Sequence, residues 1–123
     1  MSFNCIAIED ERIIQMLIKR IISRKMGDKL NLLGIAGSGG EARDLLDQHR
    51  DELDLIFLDV VLPDTTGFDL LEELDIPDHV QVILMTGDDK IQERASQYNF
   101  ADIIIKPFDL ERIQEALQKV EET

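Results

Sequence analysis

The sequence predicts a doubly wound α/β domain of five parallel strands and five helices, and two observations carry the prediction. Short apolar runs alternate with longer stretches of helical period five times along the chain. No long linker, low-complexity tract or internal repeat interrupts them. Such a strand–helix series implies right-handed crossovers and a parallel sheet covered on both faces by helices. With 123 residues and 44% hydrophobic content, the chain supplies one core, so residues 1–123 are read as a single domain.

The elements follow in order. Residues 3–8 read as a strand, and residues 11–25 then carry Ile14, Leu17, Ile18, Ile21 and Ile22 on one side of a helix. Gly27 and Asp28 punctuate its end. Residues 30–36 form a second apolar run, the glycine-rich 37–40 a turn or helix start, and residues 41–49 a short helix with Ala42, Leu45 and Leu46 inward. Residues 53–58 are almost continuously apolar, as expected of a strand buried on both faces. Pro63 closes the next segment because it supplies no amide donor and restricts its neighbour. A third helix is expected over 67–74, a strand over 80–85, a fourth helix over 90–98, a strand over 101–105 and a last helix over 110–120.

Composition narrows the function. With 26 acidic and 13 basic side chains the net charge is −13, which repels a phosphate backbone, so direct nucleic-acid binding is not expected. No apolar run approaches the roughly 20 residues needed to span a bilayer. The start carries no basic segment of a signal peptide. The single cysteine, Cys5, has no partner for an intrachain bridge, which suits a reducing compartment. A soluble, cytoplasmic protein without membrane contact is the expectation.

In open α/β sheets the loops at the carboxyl ends of the strands hold the ligand. The first strand ends in Glu9, Asp10 and Glu11, the third in Asp59, the fourth in Thr86, and the fifth in Lys106 before Pro107. Carboxylates gathered on one edge repel one another, so a bound cation is the natural stabiliser. An all-oxygen cluster favours Mg²⁺ or Mn²⁺ over zinc. His49 and His79 stand apart in polar contexts and read as surface residues. The run at 37–40 lacks the lysine and hydroxyl of a phosphate-binding loop. Spacing alone stops at an acidic divalent-metal pocket with a lysine and a hydroxyl beside it.

Four ordered motifs go further: the pair Glu9 and Asp10, LIFLDVVLPDTTG with Asp59, Pro63 and Gly67, VILMTG with Thr86, and IIIKPF with Lys106 and Pro107. Together they resemble the receiver domains of bacterial two-component response regulators over essentially the whole chain. The resemblance implies the flavodoxin-like strand order 2-1-3-4-5. It implies Asp59 as phosphoacceptor, with Thr86 and Lys106 meeting the phosphoryl oxygens. It implies Mg²⁺ held by Glu9, Asp10, Asp59 and the backbone carbonyl of Val61. The implied donor is a phosphohistidine of a sensor kinase or phosphotransfer protein, or a small acyl phosphate in its absence. Downstream stands another protein or an output domain. Slow self-dephosphorylation, rather than turnover of external substrates, belongs to the same expectation.

Two side chains near the acceptor, Val61 and Asp88, hold positions that influence how long the phosphoryl group survives in this family. Ile103 takes the place of the aromatic residue through which the family usually switches, and Phe100 stands where glycine is common. A muted or differently routed response is therefore expected. The family's signalling face would carry Lys90, Glu93, Arg94, Glu111, Arg112, Glu115 and Lys119, charges suited to intermolecular ion pairs and to a phosphorylation-favoured homodimer. A receiver-like interaction module without phosphoryl chemistry is the alternative, kept open by Ile103. A phosphatase on external substrates is disfavoured, because Val61 stands where a second acidic group would be needed.

Overall fold

The computed structural model describes residues 2–122; the outermost positions of the predicted domain, 1 and 123, lie outside them. Five parallel strands, β1 (Phe3–Ile8), β2 (Leu30–Ala36), β3 (Leu55–Asp59), β4 (Gln81–Thr86) and β5 (Asp102–Ile105), form one sheet in the order β2-β1-β3-β4-β5. Five helices connect and follow them: α1 (Arg12–Lys25), α2 (Gly39–His49), α3 (Gly67–Glu73), α4 (Gln92–Ala95) and α5 (Leu110–Glu121). Fold class and strand order are as predicted.

Two apolar layers hold the sheet. One face packs Ile18, Ile21 and Ile22 of α1 and Ile113, Ala116 and Leu117 of α5 onto Cys5, Ala7, Leu55, Phe57 and Met85. The other packs Ala42 and Leu46 of α2 and Phe68 and Leu70 of α3 onto Ile6, Ile8, Ile56, Leu58 and Leu84. All five residues of β3 are buried, four of them apolar before Asp59, which fits its place in the middle of the sheet. Burial, followed by the charge of Asp54, pushes the Cys5 thiol up to about 12, so it acts as a small apolar strand residue.

Helix starts follow local chemistry. Ser38 caps α2 by accepting the Glu41 N–H at 3.1 Å, Thr66 caps α3 through the Asp69 N–H, and Asp109 caps α5 through the Arg112 N–H. The glycine-rich run is thus a helix start, with Gly39 and Gly40 inside the first turn of α2.

The fourth helix departs from expectation. Instead of spanning 90–98, the chain makes a 3₁₀ turn at Asp89–Ile91, a single α turn over Gln92–Ala95, and then tight closures from Gln97 N–H to Arg94 O and Tyr98 N–H to Ala95 O. Ser96, Tyr98 and Asn99 are weak helix formers, and the aromatic rings decide the path. Tyr98 stacks with Phe100, their centroids 5.6 Å apart, and tilts against Phe68 at 5.2 Å. The bulk expected of Phe100 is spent on this cluster.

Candidate functional site

The register of the sheet brings the predicted residues to one edge. Ile8 pairs with Leu58 across β1 and β3, so Glu9 and Asp59 emerge side by side. Asp59 pairs with Met85 of β4, Thr86 with Ile105 of β5, and the Lys106 N–H donates to Thr86 O at 2.7 Å. The Lys106–Pro107 peptide bond is cis.

Lys106 Nζ lies 2.6 Å from Glu9 Oε1, 3.0 Å from Asp59 Oδ2 and 3.4 Å from Glu11 Oε1. Glu9 is wholly buried and Asp59 is 4% exposed, whereas Asp10 is exposed. Carboxylate oxygens of Glu9, Asp10 and Asp59 lie within 4.8 Å of one another. Burial pushes the Glu9 carboxyl up to about 7 against the opposing pull of Lys106 and the Glu11 amide, and Asp59 beside it raises it further. Burial acts to lower the Lys106 ammonium, but its bonds to Glu9 and Asp59 outweigh this and hold it above its ordinary value. Glu9 Oε1 is fully buried and meets Lys106 as an ion pair. A buried, all-oxygen group in which one ammonium faces more than one carboxylate fits a hard divalent cation.

The loop after Asp59 is held tightly. Val61 bridges Thr66 in antiparallel fashion, the Leu62 N–H donates to Thr65 O, and the Gly67 N–H donates to Val60 O at 2.7 Å. The carbonyl of Val61 is used by neither of these bonds, and the residue is 69% exposed beside Asp59. A β-carbon at Gly67 would lie 2.5 Å from the Asp59 backbone oxygen, so glycine alone permits this approach. Asp64 fastens the loop to α2, its carboxylate accepting the Gly39 N–H at 2.8 Å and the Gly40 N–H at 3.1 Å. The Thr86 hydroxyl is engaged with Asp88, accepting its N–H at 3.0 Å, while Asp88 Oδ1 accepts the Lys90 N–H at 2.9 Å.

Side-chain contacts add detail to two expectations. Charges assigned to an intermolecular face are partly spent within the chain: Asp102 meets Arg112 Nη1 at 2.8 Å and Lys119 Nζ at 2.9 Å, and the Arg94 guanidinium lies 4.4 Å from the Phe68 ring centroid. His49 is half-buried and paired with Glu52, and His79 is exposed. Sequence reasoning placed Glu11 among the carboxylates of this edge without a role of its own, and gave none to Asp64. The unbroken run Glu9-Asp10-Glu11 was the one available signal for the first, and a proline–aspartate turn is too common to reveal the second.

A doubly wound α/β domain with a carboxylate pocket and a buried lysine at the carboxyl edge of its sheet is therefore the class defined by fold and geometry. A family model described as the response regulator receiver domain matches residues 5–118, and the chain belongs to that family. It is 35% identical over 117 residues to the transcriptional regulatory protein MalR of Bacillus subtilis, covering 93% of this chain and 48% of that protein. It is 32% identical over 123 residues to the transcriptional regulatory protein HptR of Staphylococcus aureus, covering 98% and 47%. The chain thus spans about half the length of the curated relatives it matches. Among solved structures, the response regulatory domain of mrkE from Klebsiella pneumoniae superposes with a TM-score of 0.82 at 23% identity, covering 97% of this chain and 95% of that one. The receiver domain of AraT from Geobacillus stearothermophilus gives 0.81 at 25% identity, covering 99% and 95%. Family membership makes this a domain of two-component phosphorelay signalling. Among the described residues, no helix is long and apolar enough to cross a membrane.

Proposed function

We propose that residues 1–123 act as a receiver in which Asp59 accepts a phosphoryl group from a phosphohistidine of a sensor kinase or phosphotransfer protein, changing how a downstream protein or output domain is engaged. The observation that carries this reading is the nearly buried Asp59 carboxylate, 3.0 Å from the Lys106 ammonium and grouped with Glu9 and Asp10. Phosphoryl transfer needs little covalent machinery beyond a positioned nucleophile and positive charge for the equatorial oxygens.

The carboxylates of Glu9, Asp10 and Asp59 and the backbone carbonyl of Val61 would hold Mg²⁺, with Mn²⁺ the alternative. The bound cation supplies positive charge to the phosphoryl oxygens and relieves the crowding of carboxylates. Asp59 contributes the attacking oxygen; the donor's phosphorus–nitrogen bond breaks and its electron pair leaves with the imidazole. Lys106 then faces the transferred group with its ammonium, and the Thr86 hydroxyl exchanges Asp88 for a phosphoryl oxygen. The acyl phosphate so formed is labile to water, which suits a timed signal. Cytoplasmic residence belongs to this reading and is supported by the lone buried thiol of Cys5.

Intact mass after incubation with Mg²⁺ and acetyl phosphate, beside Asp59→Asn, tests the proposal. A labile gain of one phosphoryl group, lost in the variant and without Mg²⁺, is expected. Failure with acetyl phosphate and with a phosphohistidine donor alike would leave the receiver fold without acceptor chemistry.

A further inference from the structure

Glu11 occupies the N-cap of α1 with extended backbone, yet its side chain makes no capping hydrogen bond. Glutamate is also not among the preferred caps. Its carboxylate turns to the pocket instead, with Oε1 3.4 Å from Lys106 Nζ. Its backbone N–H donates to Glu9 Oε2 at 3.0 Å, which fixes residue 11 against the acidic cluster. Helix formation does not explain this orientation. Neutralising Lys106 does not explain it either, because Glu9 and Asp59 already flank that ammonium.

We infer that Glu11 contends with the phosphoryl group for Lys106 and thereby selects against small anionic donors. It has this role only if Asp59 is the acceptor proposed above. Once a divalent cation engages Glu9 and Asp59, Glu11 is the remaining carboxylate beside the ammonium. Lys106 must give it up to meet a phosphoryl oxygen. A protein donor with a basic rim offers Glu11 a new partner as it docks. A small dianion offers none, and it also meets the exposed carboxylate of Asp88 beside Thr86.

The transfer from acetyl phosphate itself is balanced without Glu11. The bond from phosphorus to the acetyl oxygen breaks, the bond from phosphorus to an Asp59 oxygen forms, and acetate leaves with the electron pair. Glu11 touches none of these atoms, so it is a positioning and donor-selecting residue acting through Lys106. Because its side chain is 61% exposed, its influence is that of a solvated charge and falls as salt shortens the screening length.

The test compares Glu11→Gln with Glu122→Gln, which removes the same charge at the far end of α5. Initial phosphoryl uptake by the full chain is followed by intact mass with Mg²⁺, using dianionic acetyl phosphate and singly charged phosphoramidate, at low and high salt. Glu11→Gln should take up acetyl phosphate about fivefold faster than wild type at low salt, with a smaller gain for phosphoramidate and for either donor at high salt. Glu122→Gln should match wild type. Equal rates for Glu11→Gln and wild type, or an equal gain in Glu122→Gln, would overturn the role of Glu11 and leave the acceptor reading standing. Absence of uptake by wild type from these donors and from a phosphohistidine would instead remove the acceptor reading, and the role of Glu11 with it.

Discussion

Lys106 Nζ stands 3.0 Å from Asp59 Oδ2, with only 11% of the lysine side chain and 6% of the aspartate side chain open to solvent. This ammonium also faces the buried Glu9, so its removal leaves two carboxylates opposed with no cation between them. Breaking a buried pair in this way costs about 3–5 kcal/mol. Lys106→Ala should therefore unfold at lower urea concentration than wild type in EDTA. Mg²⁺ should recover more stability in the variant than in wild type, because it replaces the missing charge. Equal Mg²⁺ effects in the two proteins would show that the lysine and the cation do not serve the same carboxylates.

Cation binding has its own signature in stability. A ligand bound only by the folded state adds about 2.7 kcal/mol at 100 times its dissociation constant. Mg²⁺ should raise the unfolding midpoint of wild type accordingly. Asp10 is exposed, so Asp10→Asn should leave the midpoint in EDTA unchanged while removing most of the Mg²⁺-dependent rise. A full rise in the variant would take Asp10 out of the ligand set.

Gly67 links fold to chemistry through backbone alone. An added β-carbon would press on the Asp59 carbonyl oxygen at 2.5 Å and on the Val60 α-carbon at 3.2 Å, and neither is a flexible side-chain end that can swing away. Gly67→Ala should cost about 1–3 kcal/mol by overpacking. It should also slow phosphoryl uptake, because the strain falls on Asp59, the acceptor proposed above. Urea unfolding and intact mass check the two effects, and unchanged values in both would mean that the loop from 60 to 66 shifts freely.

The parallel sheet and the pocket were legible because each rests on signals local to a strand or its end, whereas the strand order came with the family resemblance. The apolar run ending in Asp59 specifies a central strand, and Glu9, Asp59, Thr86 and Lys106 gather once the strands are parallel. What escaped was decided by side chains meeting across the fold. Nothing in residues 90–98 announces that Arg94 would cover Phe68 or that Tyr98 would stack on Phe100, and those contacts reduce α4 to one turn. Likewise the cations Arg112 and Lys119 look free along α5 until β5 places Asp102 between them.

Asp102 provides a pH-dependent test. Its side chain is 7% exposed and accepts from Arg112, Lys119 and the Ile103 N–H. Burial acts to raise the carboxyl, but these donors outweigh it and hold the pKa below the ordinary range. A folded pKa below the unfolded one gives stability that is complete above the unfolded value and lost as pH falls through the folded value. Asp102→Asn should thus be less stable than wild type at neutral pH by about 1–3 kcal/mol. The two urea midpoints should converge as pH drops below about 3.9, the usual aspartate value. A gap independent of pH would assign the effect to packing rather than to charge.

The conformational response should run through the segment after β4. Thr86 meets a phosphoryl oxygen by turning its O–H away from the Asp88 carbonyl oxygen, 3.4 Å away, and the Asp88 carboxylate in turn anchors the 3₁₀ turn through the Lys90 N–H. Beyond that turn, Arg94 covers Phe68 and Tyr98 donates to Glu72 Oε1 at 3.0 Å, so any displacement is passed to α3. Ile103, half-buried and without an aromatic ring, offers no comparable lever on β5. Adding a phosphoryl mimic with Mg²⁺ should therefore shift amide resonances over residues 86–98 and in α3 more than those of β5. Thr86→Ala should keep the shifts at Asp59 and Val60 but lose those over 88–98. Shifts of equal size around Ile103 in both proteins would mean that β5 moves without Thr86, and the route through α3 would be wrong.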